Sequence, residues 1–335
     1  MRFAAGVDLG GTKIQTVVWR GGKVIGRARV LTPSGGAEDV VAAIAGTVRD
    51  AAAGAGVRLE DAAGVGVGSP GTIVEGVVND AHNLPQLGAS FPLATALSER
   101  LGGLPVTLDN DVRVAMLGEH RAGAGRPYKN LLGVFLGTGV GGGLVLEGRL
   151  RQGRGAAGEI GHTTVRAGGR VCACGRRGCL EAYAGRGRIE AEARRLVDKG
   201  KKTILFEVMK ERRRDRLSSG VIARAMDRGD RMALALIDDA VWACGLAIAN
   251  AQNLLDLDAV IVGGGLGDRL GQTFVDRVIA AMAPRLHVPE RPPEVLGTEL
   301  GDLSGAAGAA ILALERAAGR AAPTSRSEES STAAG

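Results

Sequence analysis

The chain opens on a short apolar run, residues 3–8, followed by a Gly10-Gly11 turn and two segments rich in β-branched residues, 14–19 and 24–31. That order predicts strand, turn, strand, strand. Val40, Ile44 and Val48 then recur at helical spacing and predict a helix over 39–53 that ends near Gly54. A strand over 63–68 runs into the turn signature Ser69-Pro70-Gly71. A helix over 92–101, a buried strand over 106–108 and a helix over 112–117 follow. The alternation restarts after Gly123-Ala124-Gly125 with strand 131–136, a glycine turn and strand 143–146. Helices over 180–196 and 231–255, a strand over 259–262 ending in Gly263-Gly264-Gly265, and a helix from about Gln272 complete it. This pattern predicts the α/β class. A strand, glycine turn and strand near Gly10 and again near Gly137 form a loose internal echo.

Length agrees with two domains, since 335 residues at ~150 per domain gives about two. Glycine changes the picture: 54 of 335 residues, against a usual ~7%, predict many tight turns and close backbone approaches. Aromatics at 3% leave few platforms for stacking single-stranded nucleic acid. The excess of positive charge, +6, lies largely in 199–216, with Lys201, Lys202, Lys210, Arg212, Arg213 and Arg214, and reads as a solvated face. Neither nucleic acid nor membrane is an expected partner. The uncharged stretch 130–146 holds six glycines and is too short to span a bilayer, and Asp8 interrupts the first apolar run before it resembles a signal peptide.

Three matches to G-x-G-x-x-G occur, at Gly66/Gly68/Gly71, Gly137/Gly139/Gly142 and Gly153/Gly155/Gly158. A dinucleotide fingerprint must open a helix, yet Gly71 and Gly142 both lead into strands, so that reading fails. A Walker A loop is absent as well, because Thr12-Lys13 reverses the required order. What remains is a pair of hairpin bends, Asp8-Leu-Gly10-Gly11-Thr12-Lys13 and Gly137-Thr138-Gly139, with Gly264 and Gly265 after a buried strand. Turn N–H groups and threonine hydroxyls of this kind form anion-binding concavities suited to phosphate. Asp8 supplies a hard oxygen for Mg²⁺, held through water.

Three of the four cysteines, Cys172, Cys174 and Cys179, fall together and follow His162. One nitrogen and three thiolates suit tetrahedral Zn²⁺ with no open position, so the metal is structural. Clustering of this kind also fits a reducing cytoplasm better than a disulfide framework. Cys244, on a long apolar helix, reads as a core residue. Asp109, Asn110 and Asp111 follow a buried strand, where a carboxylate can serve as a proton acceptor or simply cap the next helix.

Asp8 to Lys13, Gly137 to Gly143, Gly158-Glu-Ile-Gly-His162 and the cysteine cluster together resemble the ROK family of sugar kinases and sugar-responsive repressors, over residues 3–318. The resemblance implies an actin-like (ribonuclease H-like) two-domain sugar kinase fold, with ATP and sugar meeting in the cleft between the domains. It implies a small domain over 1–115 joined by a returning helix at 304–319 and a large domain over 116–303 carrying the zinc loop; the low-complexity composition of 320–335, rich in Pro, Ser, Thr, Glu, Ala and Gly, predicts a disordered tail. Asp111 takes the place of the general base. Asn110, Glu159, His162 and Glu181 take those of sugar partners, with Gly71 and Asn83 lining the same site. Arg113 departs from the small or amide residue usual after the Asn-Asp pair, and Leu87 stands where the family often has Trp.

An ATP-dependent hexose kinase follows, with glucose as the expected substrate and its 6-hydroxyl as acceptor, in a homodimer or homotetramer. Kinases of N-acetylmannosamine and N-acetylglucosamine share the cysteine motif and are the alternative; polyphosphate is the alternative donor. The family's repressors carry a helix-turn-helix domain ahead of the kinase-like part, for which a phosphate loop starting at Asp8 leaves no room.

Overall fold

The computed structural model describes residues 1–81 and 83–319, so the tail expected to be disordered lies outside the described residues. Two compact units divide the chain: Met1–Arg121 with Gln152–Ala157 and the chain from Leu303, and Ala122–Arg151 with Gly158–Asp302.

The first unit begins with β1 (Phe3–Leu9), β2 (Lys13–Arg20) and β3 (Lys23–Leu31), an antiparallel meander, followed by α1 (Ala37–Gly54) and β4 (Val65–Ser69). A small sheet of β5 (Thr72–Val74), β6 (Val77–Asn79) and β7 (Ser90–Phe91) precedes α2 (Leu93–Arg100), β8 (Val106–Asn110) and α3 (Asp111–Ala122). The main sheet runs β3-β2-β1-β4-β8, with β4 parallel to both β1 and β8. Alternation along β1 sends Ala5, Val7 and Leu9 into a core with Val40, Val41 and Ile44 of α1.

The second unit repeats this plan with β9 (Leu131–Leu136), β10 (Val140–Leu146) and β11 (Arg149–Arg151). Helices α4 (Glu181–Ala184), α5 (Arg186–Asp198), α6 (Leu205–Glu211), α7 (Ser219–Asp227) and α8 (Arg231–Leu255) follow. Then come β12 (Ala259–Gly263), α9 (Gly264–Met282) and β13 (Glu294–Gly297). The sheet order is β11-β10-β9-β12-β13, again with two antiparallel pairs on one side of the first strand and two parallel pairs on the other. The echo seen in the sequence is therefore a duplicated topology. β9 and β12 are buried at every residue, as central parallel strands covered on both faces must be.

The last helix, α10 (Ser304–Ala317), belongs to the first unit. Its Gly- and Ala-rich face lies directly on the other side of that sheet. A Cβ on Gly66 would stand 1.8 Å from Ala309 O, and one on Gly308 would stand 1.7 Å from Val114 O in α3. Much of the unusual glycine content is thus close packing.

Several expectations need correction. The helix predicted over 180–196 is two, because Gly185 turns to extended backbone (φ −71°, ψ 127°) between α4 and α5. The helix expected from Gln272 starts at Gly264 and kinks at Gly271 (φ 62°), so the glycine run opens a helix rather than forming only a turn. A domain boundary at 115 falls inside α3, which continues to Ala122, and the excursion of Gln152–Ala157 into the first unit was not foreseen. By length and composition alone α8 could cross a membrane, but 67% of its most apolar window is buried, as befits the long, largely buried helix read from the sequence.

Candidate active site

The carboxyl edge of the first unit's sheet gathers the expected catalytic groups. Strand register pairs Asp8 with Gly68, Gly68 with Asp109, and Ser69 with Asn110. Ligands of open α/β sheets collect at this edge, outside the ends of parallel strands. The bend between β1 and β2 is closed by Gly10 N–H donating to Lys13 O at 3.0 Å and braced by the Thr32 hydroxyl donating to Gly10 O at 2.6 Å. Thr12 O accepts from Thr32 N at 3.1 Å, and Lys13 Nζ reaches Gln15 Oε1 at 3.3 Å. Asn83 lies against this bend, its carbonyl oxygen 2.4 Å from where a Cβ on Gly11 would be. Asp8 sits beside the first turn of α10, its Cγ 3.0 Å from a Cβ built on Gly305. A carboxylate there is favoured by the positive end of the helix dipole.

Asn110 caps α3, its Oδ1 accepting from Val112 N at 3.0 Å and Arg113 N at 3.3 Å, while its Nδ2 donates to Gly71 O at 3.3 Å. The structure therefore joins Asn110 to Gly71, whose φ of +92° suits glycine. Asp111, half-buried at the start of α3, accepts from Val112 N at 2.9 Å. Asp109 is fully buried and binds Arg113 Nε at 2.6 Å and Gln152 Nε2 at 2.9 Å. Arg113, buried with it, also donates to Gly155 O at 2.7 Å and so holds the Gln152–Ala157 excursion beside α3.

The second unit carries the other expected residues. Gly137 N–H donates to Gly139 O at 2.9 Å, closing the bend before β10, with Thr138 exposed at its tip. Gly264 folds onto the backbone of Leu136 at the same end of the sheet, which brings Gly265 and the start of α9 to this bend. Glu181 is buried: its Oε2 accepts from Val140 N at 3.0 Å and its Oε1 from the Cys172 thiol at 3.3 Å. It links the Gly137–Gly139 bend to the cysteine cluster. Glu159 is exposed just before the short 3-10 turn Ile160–His162.

Ligand atoms of His162, Cys172, Cys174 and Cys179 all lie within 4.8 Å of one another, a closed set of one nitrogen and three sulfurs that fits tetrahedral zinc. His162 turns Nδ1 toward the cluster, 3.8 Å from Cys172 Sγ. Gly178, at φ +83° and with Arg166 O 1.7 Å from a Cβ there, permits the chain reversal that brings Cys179 back. Burial pushes Cys172 and Cys179 up; the Cys174 side chain adds to this in both, while the Cys174 backbone N–H opposes it at Cys172. For Cys174 burial is outweighed by hydrogen bonds from the Arg176 backbone and side chain and from the other thiols, which bring it down to about 6. Arg166 stacks on Trp242 at 4.6 Å and Arg170 on Tyr183 at 4.9 Å, fastening the loop to α8 and α4.

Sequence reasoning missed Arg186. Its backbone N–H donates to Gly137 O at 3.1 Å and its guanidinium to Thr138 Oγ1 at 3.1 Å and Ser219 Oγ at 3.2 Å. The Gly185-Arg186-Gly187 break was the available signal, hidden by reading 180–196 as one helix.

Comparison with known proteins gives these two sites a family. The ROK family model matches residues 4–316. A glucokinase of Thermotoga maritima is 34% identical over 322 residues, covering 94% of this chain and 98% of that protein. An N-acetylmannosamine kinase of Yersinia pestis is 34% identical over 279 residues, covering 82% and 86%. A ROK family glucokinase from Streptomyces griseus, solved with glucose and AMPPNP, superposes with a TM-score of 0.76 at 32% identity, covering 93% and 99%. The duplicated sheets are those of the actin-like two-domain fold of ROK sugar kinases. With a match spanning both units and their hairpins, the acidic sheet edge and the cysteine loop, the chain belongs to the ROK family.

Proposed function

We propose that this chain transfers the γ-phosphoryl group of ATP to the 6-hydroxyl of glucose. As a ROK family member with glucokinases among its relatives, it is an ATP-dependent sugar kinase; glucose is the finer assignment. The observation that carries the reading is the register aligning Asp8, Gly68 and Asp109 across three neighbouring strands, with Asp111 just beyond, at one sheet edge next to the Gly10–Gly11 bend.

Phosphoryl transfer asks the protein for alignment, charge neutralisation and a proton acceptor. Asp111 takes the proton of the attacking hydroxyl, and Asn110, fixed by α3 and Gly71, orients the sugar with Gly71 and Asn83 alongside. Glu159, His162 and Glu181 are further sugar partners. His162 gives Nδ1 to the cluster, which leaves Nε2 for a hydroxyl. The backbone N–H groups and hydroxyls of Gly10–Lys13, Gly137–Gly139 and Gly264–Gly265 hold the phosphates. Asp8 holds Mg²⁺, which supplies charge neutralisation when bound. Zn²⁺, held by His162, Cys172, Cys174 and Cys179, braces the sugar loop and takes no part in transfer. None of the four cysteines is in a disulfide, which fits a cytoplasmic enzyme.

The N-acetylmannosamine kinase relative makes an acetamido sugar the second reading. A coupled ADP-release assay with ATP across hexoses and acetamido-hexoses decides between them. The highest kcat/KM is expected with glucose. A higher value with N-acetylmannosamine overturns the sugar assignment, and no turnover with any sugar overturns the kinase.

A further inference from the structure

Arg186 stands apart from the arginines around it. Among the described residues its guanidinium makes no ion pair; its side-chain partners are two neutral hydroxyls, Thr138 Oγ1 at 3.1 Å and Ser219 Oγ at 3.2 Å. Other arginines of the same unit are neutralised: Arg194 by Glu190 at 2.7 Å, Arg195 by Glu192 at 2.7 Å, Arg228 by Glu211 at 2.7 Å. A second guanidinium, that of Arg216, acts on Arg186 with the same sign. Arg216 Nη2 lies 3.9 Å from a Cβ built on Gly187, the residue whose backbone N–H donates to Thr138 O at 2.9 Å. Arg216 itself has only a 3.8 Å contact with Glu190, a carboxylate that Arg194 already holds more closely. Half-burial and this second guanidinium together make the charged form of Arg186 harder to keep, lowering its pKa. Arg186, with no ion pair among the described residues, and Arg216, whose carboxylate contact is long and shared, leave this bend positive and suited to an anion that arrives from outside.

We propose that Arg186 binds the phosphate chain of the nucleotide, with Arg216 reinforcing the local positive field. The location selects this ligand. Arg186 bonds the hydroxyl at the tip of the Gly137–Gly139 bend, and its Nη1 lies 3.4 Å from a Cβ built on Gly265, so it stands between the two glycine segments assigned to phosphate. Its planar fork has the geometry to span two phosphate oxygens, and both hydroxyls it now occupies can donate to the same phosphate once it turns. Thr138 and Ser219 keep the fork in place. The inference deepens the kinase reading and rests on it.

The test uses the full chain with Arg186→Gln and Arg186→Lys. Losing a charge-assisted phosphate contact should raise KM for ATP roughly tenfold or more in Arg186→Gln. KM for glucose and the Ki of adenosine, competing with ATP, should stay within about twofold. Arg186→Lys, which keeps the charge and loses the fork, should recover part of the ATP affinity. An unchanged KM for ATP overturns the proposal. So does equal weakening of ATP and adenosine, which would place Arg186 against the base or make it a support of the bend. Equal loss for ATP and glucose does the same. Calorimetric titration of ATP into wild type and Arg186→Gln separates the two levels: a tenfold loss of ATP binding supports Arg186 even if no sugar is turned over, and that failure then falls on the kinase reading alone.

Discussion

Asp111 occupies the position where a proton acceptor and a helix-capping acceptor are hardest to tell apart. In the structure Asn110 caps α3 through two backbone amides, Val112 and Arg113, while Asp111 accepts from Val112. The capping alternative left open by the sequence is therefore met largely by its neighbour. Asp111→Asn keeps a side-chain acceptor for Val112 and removes the base, so kcat should fall by about 10² or more while sugar affinity stays within roughly tenfold. Single-turnover rates and equilibrium sugar binding measure the two separately, and a variant retaining most of the rate would remove Asp111 from the chemistry. Asp109 follows a different logic. It is buried against Arg113, a pair whose value lies in fixing β8, α3 and the Gln152–Ala157 excursion in one arrangement, since either partner left alone would be an uncompensated buried charge. The sequence suggested that Arg113 tunes local electrostatics; the structure gives it a buried partner and a backbone carbonyl.

The elements that the sequence revealed are those whose signal is local. β1 to β3, α1, β9 and α8 follow from apolar runs and helical spacing, and the cysteine loop follows from ligand chemistry. The elements it hid are those set by a single glycine: the break at Gly185, the start of α9 at Gly264 and its kink at Gly271 are backbone choices that glycine permits but does not announce. Arg186 was lost with the first of these. The cysteine loop also carries a pH dependence that follows from its geometry. Zinc binds thiolates, and in the metal-free loop Cys174 ionises at about 6 while burial holds Cys172 and Cys179 protonated well above it. Above pH 6 metal uptake must displace the protons of Cys172 and Cys179, so affinity falls as pH falls, by about two log units per pH unit. Titrating zinc into chelator-stripped protein at several pH values, in buffers of different ionisation enthalpy, reads both the slope and the released protons. A pH-independent affinity would show that these thiols are not the ligands.

At the scale of the whole molecule, the duplicated sheet order could not be read from one sequence, because β1, β4 and β8 are brought together by contacts spanning a hundred residues and the helix that covers them arrives at the end of the chain. α10 follows the second unit in sequence, yet every residue from Ser304 to Ala313 is buried in the first. Its approach is close enough that the chain spends glycine on both sides of the contact: Gly6 and Gly66 in the sheet, Gly118 in α3 and Gly308 in α10 itself. The same substitution should then have opposite signs at two helical glycines of this unit. Gly308→Ala puts a methyl group 1.7 Å from Val114 O and 2.8 Å from Gly118 N, backbone atoms that yield only if α10 and α3 separate. A loss of roughly 1–3 kcal/mol or more is expected. Gly46→Ala, in the middle of α1 with nothing within 4 Å of the new methyl, should add up to about 1 kcal/mol by favouring the helix. Because each unit has its own core, the damage from Gly308→Ala should stay local: amides of β1, β4 and α3 lose hydrogen-exchange protection while those of β9 and β12 keep theirs. Equal loss in both units would mean that they unfold as one cooperative body, and no loss in either would mean that α10 does not hold the first sheet.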